Sequence, residues 1–253
     1  MAQVNNNSFN LTGKNILLTG GAGFLGKYFT DALKNADANV IIADITAKAD
    51  IQMDVSKKNS IIEAFQQTII KHGQIDVVIN NAAIDAKFDS STDKNDNLFE
   101  NYPEELISQS LDVNLRGYVL VAQEAIKNML KIGKGNIINV SSIYGITGPD
   151  QRIYPAGTQK PVDYAITKGG IVMLTKYLAT TYGSKNIRTN TLSLGGVLKD
   201  HDKTFQKKYG DKTPLGRMAN PEEVAPPLVF LASDASNYMT GANLVIDGGW
   251  AAW

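Results

Sequence analysis

The sequence contains no cysteine and only two histidines, His72 and His201, among 253 residues. Without cysteine the chain can form no disulfide, no thiolate nucleophile and no zinc–thiolate site, and the two histidines are too few and too scattered to suggest a metal cluster. The 25 Lys and Arg residues offset 25 Asp and Glu residues, so the overall charge attracts neither nucleic acid nor an anionic membrane. We therefore expect a small-molecule substrate, with no metal and no nucleic-acid partner.

Long apolar segments are also absent. No stretch approaches the ~20 apolar residues of a membrane span. The first ten residues, MAQVNNNSFN, contain neither the basic segment nor the apolar run of a secretion signal. These features predict a cytoplasmic protein with no membrane association, in which residues 1–10 are flexible.

Short apolar runs alternate with longer segments at helical spacing, which is typical of a parallel sheet covered by helices on both faces. The length and the 43% hydrophobic content suit one core, so we expect residues 1–253 to form a single α/β domain with a Rossmann-type, doubly wound sheet. The seven predicted strands are Asn15–Thr19, Val40–Asp44, Ile51–Met53, Val77–Asn80, Asn136–Ser142, Arg188–Leu194 and Leu244–Asp247. The predicted helices are Gly26–Asn35, Lys57–His72, Pro103–Lys131, Val162–Tyr182 and Pro221–Leu231.

Ligands of such folds bind at the carboxyl ends of the strands. Two long connections, Ile84–Tyr102 and Thr147–Pro161, follow strand ends and are expected to overhang the ligand site.

A glycine-rich segment directly follows the first strand. Glycine in such a segment permits a tight turn, close approach of the backbone to a pyrophosphate and close packing of the next helix, whose N-terminus supplies amides. A strand-to-helix turn without a ligand would also favour glycine, so the context decides between the two. The segment predicts a dinucleotide site formed by Gly20, Gly23, Phe24, Leu25 and Gly26.

The next predicted strand ends at Asp44. Its carboxylate can accept hydrogen bonds from both ribose hydroxyls but would repel a 2′-phosphate, which favours NAD and leaves NADP as a minor alternative. Asp44 could instead cap the following turn. Asp54 and Val55 could hold the adenine, although Asp54 is equally suited to capping the helix predicted from Lys57.

Tyr164 and Lys168 are four residues apart in a predicted helix, which places both side chains on one face. An ammonium beside a phenol stabilises the phenolate and lowers its pKa from a reference value of about 10. Such a pair is usually ordinary helix surface. Here, however, Ser142 ends the fifth strand and Asn114 lies in the preceding helix, so four polar groups could converge at a nicotinamide site. The set predicts acid/base catalysis by Tyr164.

Several motifs in this order resemble the short-chain dehydrogenase/reductase family. They are TGGAGFLG at 19–26, NNAA at 80–83, LDVNLRG at 111–117, NVSS at 139–142, YAITK at 164–168, and TG at 240–241 with DGG at 247–249. The resemblance extends roughly from Leu11 to Gly249. It implies hydride transfer between NAD(H) and an alcohol or ketone carbon of a small polar substrate, in a homotetramer or homodimer that covers the tail Trp250–Trp253.

The resemblance also implies individual catalytic roles. Tyr164 would exchange a proton with the substrate oxygen, Lys168 would lower the pKa of Tyr164 and hold the nicotinamide ribose, and Ser142 would polarise the substrate oxygen. Asn114 would anchor a water in a proton relay. The implied cofactor contacts, besides Tyr164 and Lys168, are Asn80, Ala82, Gly195 and Val197, and the segment of Asn80 and Ala82 would both line the adenine ribose and brace the sheet.

Three features depart from the usual family pattern. The glycine spacing is similar to that of the extended branch, which includes epimerases and dehydratases. Leu194-Gly195 and Lys199 stand where Pro-Gly and a threonine are common, which puts the cofactor clamp there in doubt. The segment 146–163 is longer than usual, and its Arg152, Tyr154 and Lys160 are expected either to form a wall for a sugar or sugar phosphate or to lie in an exposed loop.

The segment around Tyr164 also looks like that of bacterial members associated with surface-sugar and flagellin-glycan biosynthesis. Residues 198–213 are expected to form a lid loop. Two other functions stay open: a non-catalytic dinucleotide-binding sensor or scaffold, and an epimerase or dehydratase that holds NAD tightly. The complete set of acid/base residues favours the oxidoreductase.

Overall fold

The computed structural model describes residues 8–85 and 98–253. All seven predicted strands are present in these ranges and form one parallel sheet in the order β3-β2-β1-β4-β5-β6-β7, which confirms the Rossmann-type prediction. The strands are β1 (Asn15–Thr19), β2 (Asn39–Asp44), β3 (Ile51–Gln52), β4 (Val77–Asn80), β5 (Gly135–Ser142), β6 (Ile187–Leu194) and β7 (Asn243–Ile246). The α-helices are α1 (Phe24–Asn35), α2 (Lys58–His72), α3 (Glu104–Ser110), α4 (Gly117–Ile132), α5 (Val162–Tyr182), α6 (Lys203–Lys212) and α7 (Pro226–Ala232).

The strands are buried on both faces because helices cover both sides of the sheet. Successive side chains of a strand point to opposite faces, so Leu17 packs in the layer beneath α2 and α4 while Ile16 and Leu18 pack in the layer beneath α1 and α7. Each of these side chains is fully buried and contributes about 1.5–3 kcal/mol. The two layers hold the carboxyl ends of β1, β4 and β5 side by side, where the site forms.

The long predicted helix Pro103–Lys131 is α3 and α4 joined by a π-helical turn, Leu111–Arg116, which contains Asn114. The helix predicted from Pro221 begins as a 3-10 turn, and α7 starts only at Pro226. Proline lacks an amide hydrogen and fits the first turn of a helix, so the Pro226-Pro227 pair sets this start. The other predicted strands and helices differ from the observed ones by at most two residues at an end.

Residues 198–213 were predicted to form a loop, but most of them form helix α6, so the predicted secondary structure was wrong. Its sequence KTFQKKYGDK is too polar to show a clear apolar stripe. The available signal was Asp202, whose side chain accepts a hydrogen bond from the amide of Phe205 and caps the helix.

Residues 8–10 of the N-terminal segment contact the rest of the chain, although Phe9 is 56% exposed. Ser8 accepts a hydrogen bond from the Ala235 amide (3.1 Å), and the Phe9 ring lies 6.2 Å from that of Phe230. Residues 1–7 of the segment expected to be flexible, and residues 86–97 of the connection Ile84–Tyr102, lie outside the described residues. Within the described ranges, no helix has the length and apolarity needed to cross a membrane.

Candidate active site

A cavity of about 450 Å³ lies at the carboxyl ends of β1 and β2. Gly20 has a φ of +65°, and a Cβ there would lie 2.6 Å from Cα of Ala82. A Cβ on Gly26 would meet the backbone of Gly20 and Gly21. Helix α1 points its N-terminal amides, which have no partners within the helix, toward this turn. The predicted residues that line this cavity are Gly20, Gly23, Phe24, Leu25, Gly26, Asp44, Asp54, Val55 and Ala82.

The residues of this cavity fit a dinucleotide. The glycines leave space for a diphosphate against bare backbone, and the positive end of the α1 dipole faces that space. The buried Asp44 carboxylate accepts hydrogen bonds from the amides of Ala22 and Thr46, both at 3.1 Å. It therefore caps the following turn and also presents a carboxylate to the cavity.

Asp54 has a structural role in addition to its place in the cavity wall. Burial alone would raise its pKa, but hydrogen bonds from the amide and hydroxyl of Ser56 and the ion pair with Lys57 (3.1 Å) lower the pKa below its ordinary value. The N-cap of α2 is Lys57, so Asp54 caps the preceding turn rather than the helix itself.

Asn80 is not among the residues that line either cavity, so its contact with the cofactor stays a prediction, whereas the bracing of the sheet that was also implied for its segment is present. It is fully buried in β4 and donates to Oδ1 of Asn139 in β5 (2.9 Å), which braces the sheet. The neighbouring Asn81, which the motif reading passed over, lines both cavities and donates to the carbonyl oxygens of Thr19 and Gly20. The alternation of side chains along a strand is the reason, because consecutive residues face opposite sides.

A second cavity, of about 410 Å³, continues from the first and shares Phe24, Leu25 and Asn81 with it. The predicted residues Ser142, Tyr164, Lys168, Gly195 and Val197 all line this cavity. The strand end β5, helix α5 and the segment after β6 bring them together. Together the two cavities form one cleft, with a glycine turn at one end and a phenol, a hydroxyl and an ammonium at the other.

The structure corrects the expected pKa of Tyr164. Burial, followed by the negative charge of Asp85, raises the pKa of Tyr164 to about 12, whereas the hydrogen bond with Ser142 lowers it. Lys168 is not among the causes that lower this pKa: its ammonium donates to the carbonyl of Val140 (3.3 Å) and lies 5.7 Å from the centre of the Tyr164 ring. The phenol is therefore protonated at neutral pH and can donate to a carbonyl oxygen.

Lys168 is buried, and burial lowers its pKa to about 8. Its ammonium can thus lose its proton near neutral pH more easily than an exposed lysine.

Asn114 is fully buried and lines neither cavity. Its side chain accepts from the Ile84 amide and donates to the Ile84 carbonyl, both at 2.8 Å, and also donates to the Ser110 hydroxyl. It therefore fixes the cavity wall at Ile84, and its hydrogen bonds go to Ile84 and Ser110.

The sequence and the fold agree with those of known proteins. A sequence profile described as enoyl-(acyl carrier protein) reductase matches residues 15–251. A 3-oxoacyl-[acyl-carrier-protein] reductase FabG of Thermotoga maritima is 34% identical, over 94% of this chain and 98% of the relative. The post-translational flagellin modification protein A of Campylobacter coli is 31% identical over 95% and 99%. The chain belongs to the short-chain dehydrogenase/reductase family.

Solved structures of the family superpose over almost the whole chain. A short-chain dehydrogenase of Leptospira borgpetersenii with bound NAD+ is 35% identical with a TM-score of 0.86, covering 98% of this chain and 96% of that one. A gluconate 5-dehydrogenase of Burkholderia cenocepacia, in complex with NADP and tartrate, is 25% identical with a TM-score of 0.87, covering 98% of both. This short-chain dehydrogenase/reductase is therefore an NAD(P)-dependent oxidoreductase of alcohol and ketone groups.

In the long segment before Tyr164, the two cations Arg152 and Lys160 lie in different surroundings. Tyr154 and Lys160 line the second cavity, the candidate catalytic cavity that Ser142 and Tyr164 also line. Arg152 points away from it, since it is 77% exposed and makes a bidentate pair with Asp150. Of the two cations in this segment, only Lys160 lies in the wall of the cavity, and the Arg152 side chain is exposed to solvent.

The segment Leu194–Val197 lacks the Pro-Gly pattern of the family, and its backbone is held in place by Tyr209. The buried Tyr209 of α6 accepts a hydrogen bond from the Gly196 amide and stacks on Trp250 with ring centres 4.4 Å apart. A Cβ on Gly196 would lie 2.6 Å from the Tyr209 ring, which explains the second glycine. Trp250 is therefore buried within its own chain, whereas Trp253 is 80% exposed.

We expect Tyr209→Phe to raise the KM for the nicotinamide cofactor by about three- to tenfold, because the Gly196 amide loses its acceptor and the cavity wall loosens. Titration of initial rates against cofactor concentration measures the change. Tyr238→Phe, which alters a fully exposed tyrosine, is the control. An unchanged KM in Tyr209→Phe would show that the phenol does not position this wall.

Proposed function

We propose that this protein interconverts an alcohol and a ketone on a small polar substrate, with Tyr164 as the acid/base and NAD as the preferred cofactor. The observation that carries the proposal is that Ser142, Tyr164 and Lys168 line one cavity continuous with the glycine-rich cleft. The described residues 8–85 and 98–253 supply both halves of this cleft from one sheet, which supports one domain.

The roles of the residues follow from their positions. Bound NAD(H) supplies the hydride acceptor or donor. The Ser142 hydroxyl, which lines the same cavity as Tyr164, orients the substrate oxygen, and Tyr164 delivers its proton to that oxygen in the reduction, whereas its phenolate form takes the proton up in the oxidation. The Lys168 ammonium, 5.7 Å from the centre of the Tyr164 ring, would hold the nicotinamide ribose. Asn114 positions the wall at Ile84, and its part in a proton relay stays a prediction.

A direct assay separates this function from the alternatives. The proposed oxidoreductase changes NADH absorbance in proportion to substrate consumed, in a panel of sugars, sugar phosphates, hydroxy acids and steroids. An epimerase or dehydratase would instead retain NAD through purification and give no net NADH. A sensor would bind the cofactor and turn over nothing in the panel.

The proposed preference for NAD rests on Asp44. Its carboxylate would face the ribose, and a 2′-phosphate there would meet a buried negative charge. We expect kcat/KM with NAD to exceed that with NADP by at least about tenfold, and Asp44→Ala to remove most of this preference. Steady-state kinetics with both cofactors test it, with Asp50→Asn as a control on a nearby exposed carboxylate. Equal efficiencies in the wild type would contradict the assignment.

A sugar or sugar derivative is the proposed substrate. The catalytic cavity presents polar groups from Ser142, Tyr154, Lys160 and His201. Burial holds the pKa of His201 below its ordinary value, so its ring is a neutral hydrogen-bonding group at neutral pH. The name of the gluconate 5-dehydrogenase neighbour, with its bound tartrate, supports a polyhydroxylated compound.

A homotetramer, or else a homodimer, is the proposed assembly. Ile166, Met173 and Tyr177 occupy one face of α5 and are 55%, 63% and 64% exposed. Such an apolar stripe favours a covered surface. Light scattering at micromolar concentration should give a multiple of the 27.4 kDa chain mass, and Met173→Glu should reduce it. A monomeric wild type would contradict the proposal, and the cytoplasmic location stays a prediction from the sequence.

A further inference from the structure

The ion pair of Lys160 with Asp85 stands beside the proposed catalytic tyrosine. The Lys160 ammonium lies 3.8 Å from the centre of the Tyr164 ring and 2.6 Å from Oδ2 of Asp85. Both residues line the catalytic cavity, so a substrate bound against Tyr164 must contact this pair.

Lys160 is the fixed member of the pair. Its side chain is only 13% exposed and rests on the Tyr164 ring, a favourable position for a cation. Its backbone is held from both sides, because its amide donates to Oε1 of Gln151 (2.8 Å) and its carbonyl accepts from Nε2 of Gln151 (3.5 Å). The ammonium is therefore placed before any substrate arrives.

Asp85 is the replaceable member. Its side chain is 46% exposed, so water screens its interaction with Lys160 and solvates the carboxylate when the pair opens. An incoming anion that binds Lys160 releases the Asp85 carboxylate to water, where it is well solvated. The exchange therefore costs little, whereas moving Lys160 would disturb its contact with Tyr164.

The charge of the cavity favours such an exchange. Among the described residues that line it, the lysines are Lys160, Lys168 and Lys199, and Asp85 is the only carboxylate. Lys199 lies on the cofactor side of the cavity, with its ammonium 5.2 Å from the centre of the Phe24 ring, and its partner Asp200, 3.8 Å away, is 88% exposed to water. A neutral substrate would leave this excess uncompensated.

We propose that the substrate carries an oxyanion, a carboxylate or a phosphate ester, close to the reacting carbon, and that this group displaces Asp85 and binds Lys160. This inference rests on the proposed function and narrows its substrate class to hydroxy acids and phosphorylated alcohols. In the absence of substrate, the Asp85 carboxylate neutralises the Lys160 ammonium.

The test compares substrates that differ only in charge. Initial rates are measured for a hydroxy acid and its amide, and for a sugar phosphate and its free sugar, with the wild type, Lys160→Met, Asp85→Asn and the exposed control Lys176→Met. We expect the wild type to favour the anion of the recognised pair by about 10- to 100-fold in kcat/KM, and Lys160→Met to remove this preference through KM. Whichever pair shows the preference distinguishes the carboxylate from the phosphate.

Asp85→Asn should lower the KM for the anion more than that for the neutral analogue, because only the anion competes with Asp85. The control Lys176→Met should keep the wild-type preference. Equal kcat/KM for acid and amide and for phosphate and free sugar, or a preference that survives in Lys160→Met, would overturn the inference while the oxidoreductase function stands. Failure of every alcohol to produce NADH would instead count against the proposed function itself.

Discussion

Replacing Tyr164 with phenylalanine is expected to lower kcat by about 10²- to 10⁴-fold, the usual contribution of a positioned acid/base group. The substitution keeps the aromatic ring that contacts Lys160 and Tyr144 and removes only the hydroxyl proposed to exchange a proton with the substrate. The affinity for NAD should stay within about twofold, because the glycine cleft is untouched. Single-turnover rates and a fluorescence titration with NADH measure the two quantities separately.

Tyr182→Phe provides a matched control, since Tyr182 is the last residue of the same helix α5 and lies far along it from the cavity. It should leave kcat within about twofold. If Tyr164→Phe kept more than a tenth of the wild-type kcat, the phenol could not be the proton donor, and the mechanism proposed for this cavity would be wrong.

The second large effect is expected from Gly20→Ala. A side chain at Gly20 is forced into a left-handed conformation, at a cost of about 1–2 kcal/mol. It also meets the backbone of Ala82 at 2.6 Å, which adds about 1–3 kcal/mol. Because the turn must shift to relieve this contact, we expect NAD to bind at least about tenfold more weakly.

Gly13→Ala separates these two causes. Gly13 also has a positive φ (+77°), but nothing lies within 4 Å of a Cβ there. Thermal unfolding should show a smaller loss in Gly13→Ala than in Gly20→Ala, and calorimetric titration should show unchanged NAD binding. Equal NAD affinities in the two variants would mean that the contact between Gly20 and Ala82 does not shape the cofactor cleft.

The strands were predictable because each is a short apolar run bounded by turn residues, a pattern that parallel sheets buried on both faces require. The turn at Gly20–Gly26 and the pair Tyr164 and Lys168 were predictable for a similar local reason. Their chemistry depends on spacings of three or four residues, which a strand-to-helix turn or a single helix fixes without help from the rest of the chain.

Helix α6 was not predictable in the same way. It is stabilised by Tyr209 and Trp250, which are 41 residues apart, and by the cap at Asp202, rather than by an apolar stripe of its own. The sequence also did not show that Asn81 lines the cavities, because this depends on how the end of β4 is placed in the sheet.

The pKa of Tyr164 is a third property that the local sequence pattern did not predict. The local pattern predicts a lowered value from a lysine one turn away, but burial and the charge of Asp85, 79 positions earlier in the chain, raise it to about 12.

The sequence by itself determined the strand and helix pattern, the glycine turn and the order of the catalytic side chains, because these depend on neighbours within a few residues. Only the tertiary structure decided which groups share the cavity: it placed Lys160 and Asp85 against Tyr164 and turned Arg152 away. The physical reason is that burial and charge interactions depend on distance in space. The packing of separate segments sets that distance, and no local pattern encodes it.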